Sequence, residues 1–411
     1  MSIKNWFRNI GPGPLVAAAF IGPGTVTICT LAGVQFGYAL LWAMGLSIVA
    51  TIMLQEMAAR LGIMTQRGLA EMIRSEIQAP ILKTFAVFLI LSAIVVGNAA
   101  YEAGNISGGV IGLETIIGRH VLDIGGFSLN LISVLIGCLA FILLYIGNYK
   151  ILESVLIAMV VLMSLAFLIS ALMVKPNLFD IGKGLFAFQF PENSLLTVVG
   201  LIGTTIVPYN LFLHASLVKE KWQSTSDLNL ARKDTIVAVS LGGLVSMCVI
   251  ISASAIDASD ITNASDLAKG LEPLFGRFAR YFLSIGLFSA GITSAITAPL
   301  AAAYVATGIL GWKSDLKSKH FRAVWIAILI VGVICSSLQI KSITIIKFAQ
   351  VANGILLPII VGFLMWIMNS KKLLGTYSNR IWQNIIGFTI FVLSMLLSAV
   401  ALQKVFEFNI F

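Results

Sequence analysis

Apolar stretches long enough to cross a bilayer recur along the chain, with short polar segments between them. They predict eleven spans, at about residues 14–40, 42–62, 82–107, 128–147, 151–174, 194–218, 234–256, 275–311, 323–340, 343–368 and 382–403. Two spans lose the pattern midway. The first is cut by Gly22, Pro23, Gly24 and Thr25, and the sixth by the run from Gly203 through Thr204, Thr205, Ile206, Val207, Pro208 and Tyr209 to Asn210. Proline removes a backbone donor and glycine loosens the chain, while hydrocarbon offers no water to the freed groups. Such a break is tolerated where it lines a buried cavity, and broken helices of this kind form the solute site of many secondary carriers. A kink in an otherwise packed helix is the plainer alternative.

The two breaks are five predicted spans apart, so equivalent segments enter the membrane from opposite sides, as an inverted repeat requires. The spacing predicts a single transmembrane domain over residues 1–411, with repeats at about 14–174 and 194–368 and an extra, peripheral span at about 382–403. The fold class expected is all-α and polytopic.

Composition narrows the class further. The 411 residues are 58% hydrophobic and 11% charged, which excludes a soluble enzyme with one core. Eighteen of the 27 Lys and Arg fall in loops on the side of the N-terminus and nine on the other. That bias predicts an integral, multi-pass protein of the cell or plasma membrane with a cytoplasmic N-terminus and, after eleven spans, an external C-terminus. The net charge of +9 is a topology signal, since no basic run with interleaved aromatics suggests nucleic acid. Cys29, Cys138, Cys248 and Cys335 lie inside predicted spans without paired spacing, as small apolar residues do. No phosphate-cradling or zinc-protease motif is present, His120, His214 and His320 are scattered, and neither an enzyme nor a cofactor is expected. The partners expected are a small inorganic ion or other small solute and the lipid bilayer; the oligomeric state is open.

Polar residues within spans single out candidates. Span three carries Gly97, Asn98, Tyr101, Glu102, Gly104, Asn105 and Ser107. Glu102 is a candidate for proton or ion coupling, because an acid inside a span is costly unless it serves a function, although it lies where it could reach the outer interface. Glu56 and Glu153 sit at cytoplasmic ends, as solvated carboxylates or, for Glu56, a partner of Arg60. His214, one turn past the second break, is a relay candidate or a hydrogen-bonded structural residue. Gln350 and Asn353 in span ten need partners in an apolar helix, either neighbours or a permeating solute. Ser289, Gly291, Thr293 and Ser294 in span eight read as tight helix contact. Residues 1–9 suit a short interfacial helix, and residues 175–193 an external amphipathic lid or a plain loop.

At these residues the chain resembles the NRAMP family of proton-coupled divalent metal transporters. Val207-Pro208-Tyr209-Asn210-Leu211-Phe212-Leu213-His214 is similar to the family's Met-Pro-His-Asn-Leu-x-Leu-His, and Leu54-Gln55 through Ala59-Arg60-Leu61-Gly62 to Leu69-Ala70-Glu71 resembles another family stretch. Span eight from Ala290 to Leu310 resembles a Gly-Gln-Ser-Ser-Thr signature more loosely. The resemblance implies a leucine-transporter-type fold of five plus five inverted spans with the eleventh outside, and alternating access. It also matches Glu102 and Gln350 to polar residues that the family uses.

The departures bear on the site. The family's first break, Asp-Pro-Gly-Asn, is here Gly22-Pro23-Gly24-Thr25, and Val207 and Tyr209 stand in place of a Met and a His. The resemblance therefore implies a branch without the usual metal-ligating side chains. Loss of the soft Met removes preference for Mn²⁺ or Fe²⁺, and loss of Asp removes the anion that offsets stripping water from a divalent ion. The solute-binding candidates are Gly22, Thr25, Thr204, Thr205, Val207, Tyr209, Gln350 and Asn353, with the metal, if any, undetermined. A metal cation leads; an anion or zwitterion at the positive ends of the half-helices, or a sensor that does not transport, are alternatives.

Overall fold

The computed structural model describes residues 11–124, 127–256, 277–337 and 356–406. Among them, eight helices are long and apolar enough to cross a membrane, and ten if each of two bent pairs counts as one span. The shorter apolar helix Leu131–Ile146 occupies the position of the fourth predicted span, so all eleven predicted positions carry a helix. In chain order these are the pair α1 (Gly13–Phe20) and α2 (Pro23–Phe36), then α3 (Leu41–Thr65), α4 (Leu69–Glu76) and α5 (Pro80–Ile117). A β-hairpin, β1 (Val121–Ile124) with β2 (Phe127–Asn130), precedes α6 (Leu131–Ile146) and α7 (Tyr149–Met173). The second half runs α8 (Leu178–Phe186), α9 (Leu195–Thr205), α10 (Pro208–Lys221), α11 (Leu228–Ala253), α12 (Arg277–Leu310), α13 (Lys319–Ser337), α14 (Leu356–Met368), α15 (Lys371–Leu374) and α16 (Ile381–Phe406). The interfacial segment 1–9 and the loop after α11 lie outside the described residues.

Large apolar side chains such as Phe85, Phe88, Ile81 and Phe388 remain exposed on the outside of the bundle, the surface that lipid covers. The chain is a multi-pass membrane protein. Its interior is built around α12 and α5, which cross where Gly291 meets Gly109: a methyl group at Gly291 would stand 2.5 Å from the Gly109 backbone. Gly108, one residue earlier, gives similar room to Pro23, whose Cβ would be 2.1 Å from a methyl there. Small residues thus let α5 lie directly against the first break.

Three expectations about polar residues change. Glu56 is neither solvated nor paired with Arg60 alone; it bridges Arg60 at 3.1 Å and Arg232 at 2.8 Å. Arg60, 2% exposed, also donates to Tyr377 O and Asn379 Oδ1, tying α3 to the approach of α16. Glu153 is half-buried with Oε1 shielded and unbonded. Residues 175–193 are partly helical: Asn177 caps α8 through Phe179 N, and Trp42 Nε1 donates to Gln189 O at 2.8 Å while its ring meets Phe190 at 4.6 Å.

Candidate functional site

Both breaks have the same local construction. α1 ends at Ile21 (φ −87°, ψ 64°), and Gly22 (φ −93°, ψ 177°) is extended before Pro23 opens α2. α9 ends at Ile206 (φ −90°, ψ 76°), and Val207 (φ −87°, ψ 122°) is extended before Pro208 opens α10. Proline at the first helical position needs no donor, so each half-helix restarts there without loss. The Ile-x-Pro repeat makes Gly22 and Val207 structurally equivalent.

The breaks face each other. Thr25 Oγ1 lies 3.4 Å from Thr204 O and also donates to Phe20 O. The last carbonyls of α1, which no helix turn can satisfy, receive side chains from elsewhere. Ser294 Oγ reaches Ala18 O at 3.4 Å, and Tyr209 Oη donates to Ala19 O at 2.8 Å. Asn210 Nδ2 donates to Val16 O at 2.9 Å. The Tyr209 ring is edge-on to Tyr101, 5.8 Å between centroids.

Not every candidate joins this cluster. Thr205 Oγ1 turns back to Leu201 O at 2.6 Å and lies 4.0 Å from Met44 Sδ on α3, away from Thr25. Glu102 is fully buried, so it does not reach an interface; it packs against Gly332 of α13, and neither carboxyl oxygen has a hydrogen-bond partner. His214 is fully buried with Nδ1 3.0 Å from Gln55 Oε1 and Nε2 unbonded. Gln350 and Asn353 lie outside the described residues. Among those described, no three His, Cys, Asp or Glu side chains gather as metal ligands would.

Three further residues hold the elements of the site, and none of them was among the solute-binding or coupling candidates. Asp234 of α11 accepts from Gly11 N at 2.9 Å and Gly13 N at 2.7 Å, holding the start of α1. Its only signal is an acid near the start of a span. Asn98 of α5 donates to Ala298 O of α12 at 2.9 Å. Ser294 belongs to the small-residue run of span eight, but it points to the break.

Comparison with known proteins bears on the family and the fold. The family model described as natural resistance-associated macrophage protein-like matches residues 13–404. A divalent metal cation transporter MntH of Verminephrobacter eiseniae is 27% identical over 387 residues, 92% of this chain and 84% of the relative. A metal transporter nramp1 homolog of Dictyostelium discoideum is 26% identical over 425 residues, 100% of this chain and 76% of the relative. Among solved structures, an Eremococcus coleocola manganese transporter superimposes with a TM-score of 0.80 at 22% identity, over 98% of this chain and 88% of that one. MhsT in complex with L-phenylalanine superimposes with a TM-score of 0.59 at 16% identity, over 95% and 97%. The fold is of the leucine-transporter type.

Proposed function

The chain belongs to the natural resistance-associated macrophage protein-like family, and from that premise we propose that it is a secondary carrier moving a metal cation by alternating access, coupled to protons or another ion. Relatives named as metal transporters support the cargo class. The observation that carries the proposal is the apposition of the two Ile-x-Pro breaks, with Thr25 Oγ1 3.4 Å from Thr204 O. Carbonyl and hydroxyl oxygens of the buried Thr25 and Thr204 gather where two half-helices meet. The proposed organisation is one transmembrane domain of two inverted repeats, with the N-terminus cytoplasmic and the C-terminus external, which the loop charges favour.

What the site lacks decides selectivity. Gly22, Thr25, Val207 and Tyr209 provide neither charge nor a soft ligand, so a site built on them has no basis for preferring Mn²⁺ over Mg²⁺. An anion is less well served, because Pro23 and Pro208 each remove a backbone donor from the half-helix N-terminus that would bind it. Calorimetry on the purified chain should find Mn²⁺ bound weakly or not at all, with no preference over Mg²⁺. Tight Mn²⁺ binding would overturn this selectivity, and binding of a small carboxylate in preference to any cation would overturn the cargo.

Coupling is assigned to Glu102, the one carboxyl placed fully inside α5 with both oxygens unbonded. In proteoliposomes Glu102→Gln should abolish uptake driven by a pH gradient while leaving the melting temperature near that of the unmodified chain. Retained pH-driven uptake would assign Glu102 to packing against Gly332 instead.

A further inference from the structure

Gly22 stands where the resembled family carries a carboxylate, yet polar atoms already stand against the position that a side chain there would take. A Cβ at Gly22 would lie 2.9 Å from Ser294 Oγ of α12 and 3.5 Å from Asn105 Oδ1 of α5. These come from two different spans, and both residues are buried, Asn105 3% and Ser294 1% exposed. Asn105 Nδ2 has no hydrogen-bond partner of good geometry, its neighbour being the Glu102 carboxyl, and Ser294 Oγ has only a long contact, 3.4 Å, to Ala18 O. A buried amide left half-satisfied is costly, and a packed interior keeps few of them without a use. Thr25 Oγ1 of the same break lies 3.4 Å from Thr204 O of the facing break.

Resting on the cation proposal above, we propose that Asn105 and Ser294 are ligands of the transported ion, supplying from α5 and α12 the oxygens that Gly22 cannot. The atoms available at this break, an amide carbonyl, two hydroxyls and a backbone carbonyl, are hard and uncharged. Hard neutral oxygens suit alkali cations, whose dehydration carbonyl groups offset, and Mg²⁺ only while it keeps several of its waters. With no carboxylate touching the ion, full dehydration of a divalent cation has nothing to balance it. The site's preference therefore runs toward hard cations of low charge density.

The test uses the full-length purified protein with Na⁺, K⁺, Mg²⁺ and Mn²⁺ as separate probes in calorimetry. The expected result is a Na⁺ or K⁺ signal that Asn105→Ala and Ser294→Ala each weaken by roughly tenfold, the loss of one ligand oxygen. Ser294→Thr, which keeps the hydroxyl, should bind within about threefold of the unmodified chain. Asn105→Asp keeps the shape and adds charge, so it should raise Mg²⁺ affinity relative to Na⁺ by about tenfold or more. Cation binding that survives both alanine substitutions unchanged would overturn the role of Asn105 and Ser294 while leaving the cation carrier intact. Absence of binding by every cation would overturn the carrier proposal and this one together. Should the alanine variants not fold, Asn105→Asp decides alone, and an unchanged ratio of Mg²⁺ to Na⁺ affinity sinks the assignment.

Discussion

The two breaks share an Ile-x-Pro backbone, but they are held in opposite ways. The first bends its span by 59°, whereas the second leaves Leu195–Lys221 as one continuous span of 27 residues. α1 is tied at both ends by other helices: Asp234 holds its first amides, and Thr25, Tyr209 and Ser294 take its last carbonyls. α9 carries lighter outside support, from Thr25 Oγ1 3.4 Å from Thr204 O and from Met44 Sδ 4.0 Å from Thr205 Oγ1. Ser194 at its start makes no side-chain cap, and Thr204 and Thr205 both donate back to Leu201 O. Equivalent elements of an inverted repeat therefore need not carry equivalent loads. The first half-helix is positioned by the rest of the bundle, and α10 supplies two of the side chains that position it.

The largest expected effect comes from cutting the outside support of α1. Asp234→Ala would orphan the buried amides of Gly11 and Gly13 and remove a carboxylate from the positive end of a helix. Hydrogen bonds to a charged group contribute about 1.5–3 kcal/mol each, so a loss of about 3 kcal/mol in unfolding free energy is expected. Ser194→Ala, at the equivalent end of α9, should cost close to nothing. Chemical denaturation of both variants measures this, and equal losses would erase the distinction between the two half-helices.

A smaller effect is expected from substituting the two equivalent positions, Gly22 and Val207. Gly22→Asp pushes a side chain against Ser294 Oγ, only 2.9 Å from the new Cβ, and overpacking of this kind costs about 1–3 kcal/mol. Val207→Met also adds volume to a buried site, but its flexible, unbranched side chain adapts to gaps, so its cost should fall at the low end of that range, about 1 kcal/mol. Thermal melts should rank them in that order. Adding Ser294→Ala makes room, and Gly22→Asp with Thr25→Asn, Val207→Met and Ser294→Ala should then bind Mn²⁺ where the unmodified chain does not, as calorimetry would register. Failure of the quadruple variant to gain Mn²⁺ while still folded would mean that the missing ligands are not what sets selectivity.

How much of this was legible depended on whether the signal was local. Each break announces itself through a proline within an apolar run, so the spans, the repeat and the apposition of Thr25 with Thr204 follow from neighbouring residues. The pairing of Val121–Ile124 with Phe127–Asn130 is not predicted, because the second strand runs straight into the apolar α6 and the predicted fourth span begins within it, at residue 128. The capping residues were illegible for another reason. Asp234 and Gly11 are 223 positions apart, and Ser294 and Ala18 are 276 apart. A single polar side chain in an apolar helix shows that a partner is needed, not which one. Thr205 misled because it adjoins Thr204 in sequence, but Thr204 meets Thr25 through its backbone carbonyl, and the hydroxyls of both threonines return to Leu201 O.

The smallest expected effect isolates one bond. Tyr209→Phe keeps the ring against Tyr101 and removes only the hydroxyl that donates to Ala19 O at 2.8 Å. Ala19 sits in the last turn of α1, where the backbone has no donor of its own to offer, so the carbonyl loses its partner in a buried place. A neutral hydrogen bond contributes about 1 kcal/mol net, and that is the loss expected in denaturation. Thr205→Val is the matched substitution at the second break. Its hydroxyl donates to Leu201 O, a carbonyl that Thr204 Oγ1 also reaches at 3.1 Å, so removing it leaves no orphan. The valine variant should stay within about 0.5 kcal/mol of the unmodified chain. A Thr205→Val loss as large as that of Tyr209→Phe would show that the second break also depends on its side-chain caps, and the asymmetry between the two halves would then lie in the 59° bend alone.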